Sequence, residues 1–244
     1  MTKDNTLLPY SPAAGLKELM TKASSKYPVE FETISIGELQ LQILQIKDME
    51  AYIENLAASA GTDKNLDLPF WAKIWPTSLL LSYMLTSSYP VQGYHVLELG
   101  AGVGVCGLVA ASFGAQVTLT DIHPDALLFA RINVLKNKLE DRVQLAAVDF
   151  TTDYMHQAFE RIIGSELLYR ETAYGPLVHF LDQHLSQTGE ALLAKSHIFQ
   201  AKGFFDIVGH TFNLEQKTVG YKEKSPQSGK PERHLCQILR LTPK

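Results

Sequence analysis

Residues 96–111, VLELGAGVGVCGLVAA, decide the fold of this 244-residue chain. An apolar run ends at Leu99, glycines follow at alternate positions (Gly100, Gly102 and Gly104), and a second apolar run comes next. The first run predicts a buried strand and the second a helix, because alternating glycines permit a tight strand-to-helix turn. Glycines also let a ligand lie against bare backbone, so this turn is the first candidate binding site.

Around this turn, short strand-like runs alternate with helical patterns. The predicted strands are 94–99, 116–121, 142–149, 161–166 and 190–195. The helical patterns cover about 76–85, 104–113, 124–138, 172–186 and 197–209, and segment 153–160 predicts one or two further helical turns. Strands that alternate with helices predict a parallel sheet with helices on both faces.

The two ends of the chain depart from this alternation. Near the C-terminus, runs 211–221 and 234–242 are strand-like and the polar segment 222–233 between them fits no helix, which predicts an antiparallel pair. Together these patterns predict a Rossmann-like α/β fold whose seven-stranded sheet has five parallel strands and an antiparallel C-terminal pair. Residues 1–68 predict an extension with a helix (13–25), a β-hairpin (33–46) and a second helix (48–59), packed on a core of 69–244 as one structural domain.

Composition narrows the class of protein. The formal charge of −4 argues against a nucleic-acid binder, which normally carries a basic footprint. No run of about 18 apolar residues predicts a membrane span, and the N-terminus resembles no secretory signal. Two cysteines, Cys106 and Cys236, both in apolar runs, indicate buried thiols, and the eight histidines form no metal-binding pattern. We therefore expect a cytoplasmic protein, a monomer or weak dimer, with no metal.

Two ligand classes fit the glycine turn, a dinucleotide and S-adenosylmethionine. The dinucleotide pattern G-x-G-x-x-G occurs at Gly102, Gly104 and Gly107, but its first glycine lies three residues past the strand end. Glu98 favours the other ligand, because a carboxylate beside the turn repels a pyrophosphate and attracts the ammonium and sulfonium groups of S-adenosylmethionine.

Acidic residues also end the next two strands. Asp121 is placed to accept hydrogen bonds from both ribose hydroxyls, and it can also cap the helix that opens at Pro124. Asp149 and Phe150 are candidates for binding an adenine amino group and stacking on the base. The alternative for this pair is a solvated strand end with a core phenylalanine.

With these residues in place, the chain resembles the seven-β-strand S-adenosylmethionine-dependent methyltransferases over about residues 70–242. Within them it is similar to the family 16 group, which includes protein-lysine methyltransferases and a nicotinamide N-methyltransferase-like branch. Two segments carry the narrower resemblance: PFWAKIWPTSLLLSYML (69–85) and IIGSELLYRETAYGPL (162–177). The cofactor is then S-adenosylmethionine.

The resemblance also implies site residues. Those for the cofactor are Trp75, Glu98, Gly100, Gly102, Gly104, Asp121, Asp149, Phe150 and Ser165. Those for catalysis are Glu166, which positions the methyl acceptor or acts as its base, and Tyr169. Glu166 replaces the family's usual aspartate, which leaves the substrate open.

The predicted function is N-methyl transfer, first to a lysine side chain of a protein. The alternative is a small-molecule amine N-methyltransferase with the same fold, since the two kinds of enzyme share every cofactor residue. A non-catalytic S-adenosylmethionine-binding protein and a nicotinamide-dependent enzyme are weaker alternatives.

Overall fold

Two β-sheets and seven α-helices make up the described residues, 8–60, 68–198, 200–224 and 231–244, of the computed structural model. The strands are β1 (Val29–Ile36), β2 (Leu39–Ile46), β3 (His95–Leu99), β4 (Gln116–Asp121), β5 (Val143–Ala147), β6 (Phe159–Ser165), β7 (Leu185–Ser196), β8 (Phe212–Lys224) and β9 (Pro231–Pro243). The helices are α1 (Leu16–Ser24), α2 (Met49–Ala60), α3 (Pro76–Ser87), α4 (Val105–Ser112), α5 (Pro124–Lys136), α6 (Tyr174–His184) and α7 (Lys202–Thr211).

The larger sheet has seven strands in the order β5-β4-β3-β6-β7-β9-β8. Strands β3 to β7 run parallel, while β9 pairs antiparallel with both β7 and β8. The predicted fold class, five parallel strands and an antiparallel C-terminal pair, is therefore confirmed. Since Glu98 lies opposite Leu119 of β4 and Leu99 opposite Gly164 of β6, the carboxyl ends of these three strands share one edge.

Side chains of β3 alternate between the two faces of this sheet, as a pleated strand requires. Val96 packs in an apolar cluster with helices α3, α4 and α5, whereas Leu97 and Leu99 pack in a second cluster with α6 and α7. Helices thus cover both faces, and the central strand is buried from each side. This burial holds the glycine turn after Leu99 on a rigid base.

The small sheet is the predicted N-terminal hairpin, with β1 antiparallel to β2 and Gly37 at the turn at φ 61°. Buried Asn133 of α5 ties this hairpin to the core. Its Oδ1 accepts the Leu44 N–H at 2.7 Å, and its Nδ2 donates to the Val103 carbonyl at 2.9 Å. One side chain thus links the hairpin to the glycine turn, and the division into an extension of 1–68 and a core of 69–244 stays a prediction.

The structure corrects three local predictions. Residues 153–158 form no helical turn, because the His184 ring accepts the Met155 N–H at 2.8 Å and holds this loop across α6. Helix α7 begins at Lys202 instead of residue 197, since the residue before it, Ala201, has a left-handed φ of 49° that a right-handed helix cannot include. The predicted loop 222–233 is shorter, because β8 and β9 extend into it from both sides, and residues 225–230 lie outside the described part.

Candidate active site

The glycine turn has the backbone that only glycine adopts readily. Gly100, Gly102 and Gly104 have φ values of 58°, 54° and 87°, in the left-handed region. A Cβ added at Gly102 would meet the Trp71 carbonyl oxygen at 2.5 Å, so another segment of backbone lies directly against the turn. Gly104 is the N-cap of α4, so the turn presents the amino end of this helix toward the carboxyl edge of the sheet.

Glu98 lies beneath this turn, with only 3% of its surface exposed. Its Oε2 accepts the Gly107 N–H of α4 at 2.7 Å. Burial raises the pKa of the Glu98 carboxyl to about 8, against which hydrogen bonds from Gly107 and Cys106 act. A raised pKa favours the protonated form of this carboxyl, so its attraction for a cationic ligand stays a prediction.

Asp121 ends β4 beside the turn and is 8% exposed. Its Oδ2 accepts the Gly102 N–H at 2.9 Å and its Oδ1 accepts the His123 N–H at 2.8 Å. Two backbone donors therefore fix the carboxylate, and each oxygen keeps a lone pair for a further donor. The predicted helix cap before Pro124 is held by another residue, since it is His123 Nδ1 that accepts the Asp125 N–H at 3.2 Å.

Asp149 and Phe150 follow β5 but are less constrained. Asp149 Oδ1 accepts the N–H and the hydroxyl of Thr151, at 2.9 and 2.6 Å. The Phe150 ring packs against the α6–α7 cluster and lines a surface cleft of about 530 Å³ that Tyr154 and His179 also line. The structure thus shows features of both readings, a polar strand end and a partly buried ring, and the adenine role stays a prediction.

Trp75 and Ser165 lie in two segments, the start of α3 and the end of β6, that a hydrogen bond joins. Trp75 precedes α3, is half-buried, and its indole N–H donates to the Phe70 carbonyl at 3.3 Å. The Lys73 ammonium lies 4.8 Å from its ring centroid. Ser165 at the end of β6 donates its hydroxyl to Thr77 Oγ1 at 2.9 Å. This bond joins the Trp-Pro segment to the strand that carries the acceptor motif.

Glu166, directly after β6, has a left-handed φ of 55°, which is uncommon for a residue with a side chain. Its Oε1 accepts the Ser196 N–H at 2.9 Å, and its own N–H donates to the Ala194 carbonyl at 2.8 Å. Burial raises the pKa of its carboxyl, while bonds to Thr77 and Ser196 oppose that rise. Strained backbone of this kind clusters at functional sites, and here it turns the carboxyl toward the end of β7.

Tyr169 is the exposed member of the acceptor motif, with 59% of its surface open to solvent. The Arg170 guanidinium lies 5.1 Å from its ring centroid. Tyr169 also lines an open cleft of about 320 Å³ together with Glu171, Tyr174 and Lys202. This side of the site is accessible to a large partner.

Several residues near the site escaped prediction. Thr77 and Ser196 hold Glu166, and buried Lys195, whose pKa burial lowers, lies next to Ser196 in β7. Trp71 contacts the glycine turn through its backbone carbonyl, and the sequence assigned it no role there. The position of Thr77 after Pro76 in the Trp-Pro segment was the only sequence signal for its role, and the roles of the others depend on tertiary contacts.

Within the described ranges, no three His, Cys, Asp or Glu side chains group as metal ligands. None of the helices described there has the length and apolar character of a membrane span.

Solved structures first define the class of fold. The N-methyltransferase NodS from Bradyrhizobium japonicum, in complex with S-adenosylhomocysteine, matches 81% of this chain and 99% of its own, with a TM-score of 0.55 and 15% identity. A TehB-like S-adenosylmethionine-dependent methyltransferase from Corynebacterium glutamicum matches 80% and 98%, with a TM-score of 0.51 and 17% identity. The chain thus has the fold of these methyltransferases.

Sequence comparison then gives the family. A family model described as lysine methyltransferase matches residues 64–209, more than half of the chain. Protein N-lysine methyltransferase METTL21A from Xenopus tropicalis is 35% identical over 133 residues, 52% of this chain and 60% of that protein. EEF1A lysine methyltransferase 3 from the same species is 30% identical over 152 residues, 59% of this chain and 67% of that protein. The matches thus span about three fifths to two thirds of these relatives. The chain belongs to the lysine methyltransferase family, which confirms the resemblance predicted from sequence.

Proposed function

We propose that this protein is an S-adenosylmethionine-dependent N-methyltransferase that acts on a lysine side chain of a protein. One observation carries the proposal. The glycine turn with Asp121 and the acceptor motif with Glu166 and Tyr169 follow adjacent strands of the sheet, and these strands end at the same edge. A cofactor bound to the first group therefore lies beside an acceptor held by the second.

The residues present fit the cofactor. The left-handed glycines leave bare backbone for its methionine half, and Asp121 keeps lone pairs free for ribose hydroxyls. Trp75 is assigned to the wall of the cofactor pocket and Ser165 to the side of the transferable methyl group, while Asp149 and Phe150 are assigned to the adenine. S-adenosylmethionine supplies an electrophilic methyl group on its sulfonium. The protein supplies orientation and excludes water.

The acceptor amine must approach without a proton, because only its lone pair can form the new nitrogen–carbon bond. A lysine ammonium has a pKa of about 10.4 in water, and burial near the sheet edge lowers it. Glu166 positions this amine, and its raised pKa makes it a better proton acceptor than an ordinary glutamate. As the nitrogen–carbon bond forms, the carbon–sulfur bond breaks and S-adenosylhomocysteine is left. The Tyr169 ring offers a face to the acceptor cation before it loses its proton.

The open position of Tyr169 favours a protein over a small amine. A small molecule is best held in an enclosed pocket, whereas a lysine on a protein surface needs an unobstructed approach. Tyr169 and its cleft face solvent, and the two relatives above are named as a protein N-lysine methyltransferase and an EEF1A lysine methyltransferase. A cytoplasmic location and a monomeric or weakly dimeric state stay predictions.

Methyl-labelled S-adenosylmethionine tests the proposal, added with the purified protein to lysate of its own source. We expect label in a protein band, and methyl-lysine after acid hydrolysis of that band. The Asp121→Ala variant under the same conditions is the control and should leave the band unlabelled. Label only in the small-molecule fraction would support the amine alternative, and no label in either fraction would contradict methyl transfer.

A further inference from the structure

Trp71 contacts both residues whose backbone holds Asp121. The carboxylate of Asp121 accepts the N–H groups of Gly102 and His123 at 2.9 and 2.8 Å. The Trp71 carbonyl lies 2.5 Å from the position of a Cβ on Gly102. The Trp71 indole stacks on the His123 ring, with centroids 5.0 Å apart and 21° between the planes. Trp71 thus contacts both residues, Gly102 and His123, that donate backbone N–H groups to Asp121.

Residues of the N-terminal extension contact both Trp71 and the start of α5, next to His123. The Tyr27 ring packs edge-on against Trp71, with centroids 5.7 Å apart and 77° between the planes. The Tyr27 hydroxyl donates to Asp125 Oδ2 at 2.8 Å, and the Lys26 ammonium donates to Asp125 Oδ1 at 2.6 Å. Asp125 in turn donates its backbone N–H to the His123 ring at 3.2 Å. The extension therefore reaches His123 by two routes, through an aromatic contact and through a carboxylate.

We propose that Trp71 is a positioning residue for cofactor binding, and that Lys26 and Tyr27 make the N-terminal extension part of the cofactor site. Trp71 keeps Gly102 and His123 in place, and these two fix the Asp121 carboxylate for the ribose. The inference rests on the proposed function, since the ribose belongs to the cofactor. It assigns to the N-terminal extension a role in cofactor binding.

The physical basis is orientation. A carboxylate that accepts hydrogen bonds from two hydroxyls must hold its plane in one orientation, and a side chain that is free to rotate binds these hydroxyls more weakly. Without the indole, the His123 ring loses its stacking partner, and the backbone N–H that His123 donates to Asp121 gains freedom. The loss then falls on the ribose hydroxyls more than on the rest of the ligand.

This difference gives a test that a general loosening of the fold would fail. Calorimetry measures the affinity of the full chain for S-adenosylhomocysteine and for its 2′,3′-dideoxy analogue. In the wild-type protein we expect the analogue to bind at least about tenfold more weakly, because hydrogen bonds to a charged group are lost. In Trp71→Leu we expect about tenfold weaker binding of S-adenosylhomocysteine and less than about threefold weaker binding of the analogue. The ratio of the two affinities should thus approach one.

Two further variants cover the case in which Trp71→Leu does not fold. Trp71→Phe retains an aromatic ring against His123 and should keep most of the wild-type ratio. Tyr27→Phe removes only the hydroxyl that binds Asp125 and should reduce the ratio about threefold. Tyr83→Leu, an exposed aromatic residue on α3, is the control and should leave both affinities unchanged.

The outcomes separate the two proposals. If the wild-type protein binds S-adenosylhomocysteine and the folded Trp71 and Tyr27 variants keep its affinity ratio, the positioning role is wrong and the proposed function stands. Equal losses for both ligands also contradict the role, since they indicate a general effect on the fold. If the wild-type protein binds neither ligand, the proposed function is wrong, and the positioning role, which depends on it, is wrong as well.

Discussion

The two halves of the site are built differently. The cofactor half, which we define as Glu98, the glycine turn and Asp121, is buried except at Gly100 and Ala101, and both acids accept hydrogen bonds from backbone N–H groups. The acceptor half, Glu166 and Tyr169 with the cleft beside them, is half-buried to exposed. Backbone therefore shapes the side that would take the cofactor, whereas projecting side chains shape the side that would meet the acceptor. Substitutions should accordingly affect stability and cofactor affinity in the first half, and transfer alone in the second.

The largest effect is expected at the glycine turn. Gly102→Ala places a Cβ 2.5 Å from the Trp71 carbonyl at a left-handed φ of 54°, so the turn must shift. We expect the free energy of unfolding in urea to fall by about 2–4 kcal/mol. Gly209→Ala is the matched control, since α7 has open space there, and it should change stability by at most about 1 kcal/mol, in the stabilising direction. Equal stability of the two variants would mean that the cofactor half is not rigid.

The second largest effect is expected at the Asp121 carboxylate, which accepts the N–H groups of Gly102 and His123. Asp121→Asn keeps the shape of the side chain but cannot accept at both terminal atoms, so one backbone N–H and one ribose contact are lost. We expect about 30-fold weaker binding of S-adenosylhomocysteine by calorimetry, about 2 kcal/mol. Asp182→Asn on the exposed face of α6 is the control. If Asp121→Asn weakens the binding of S-adenosylhomocysteine by less than about threefold, Asp121 does not contact the ribose.

Glu98 gives a pH dependence of stability. Burial raises its pKa to about 8 in the folded protein, above the unfolded value, so the folded state binds the proton more tightly. Its contribution is fully present below about pH 4 and is lost as pH rises through about 8. We expect Glu98→Gln, which retains an acceptor for Gly107, to flatten the loss of unfolding free energy between pH 5 and 9 by at least about 1 kcal/mol. Identical pH profiles for variant and wild type would show that Glu98 is ionised throughout.

The smallest effect on binding is expected in the acceptor half. Tyr169→Ala removes an exposed ring, so the affinity for S-adenosylhomocysteine should stay within about twofold. Methyl transfer to the labelled protein band should fall about tenfold, because a ring face for the acceptor cation is lost. Tyr169→Phe retains that face and should keep most of the transfer rate. Loss of cofactor affinity in the alanine variant would show that the two halves are not separate.

The same contrast explains what the sequence revealed. The glycine turn, the strand ends and the antiparallel C-terminal pair are local patterns, and the fold predicted from them is confirmed. The contacts of Trp71 with Gly102 and His123 join segments about 30 and 50 residues apart, so no local pattern showed them. The loop at 153–158 was missed for the same reason, because a distant histidine holds its backbone. Glu166 was found by its motif, but its left-handed backbone and its bond to Ser196 depend on the end of β7.

Calorimetric titration of the full chain with S-adenosylhomocysteine, and in parallel with reduced nicotinamide adenine dinucleotide, tests the central claim most directly. We expect one binding site for S-adenosylhomocysteine with a dissociation constant in the micromolar range or below, about −8 kcal/mol or stronger, and no heat with the dinucleotide. Absence of S-adenosylhomocysteine binding at tens of micromolar, or binding of the dinucleotide in its place, would contradict the assignment of this site to methyl transfer.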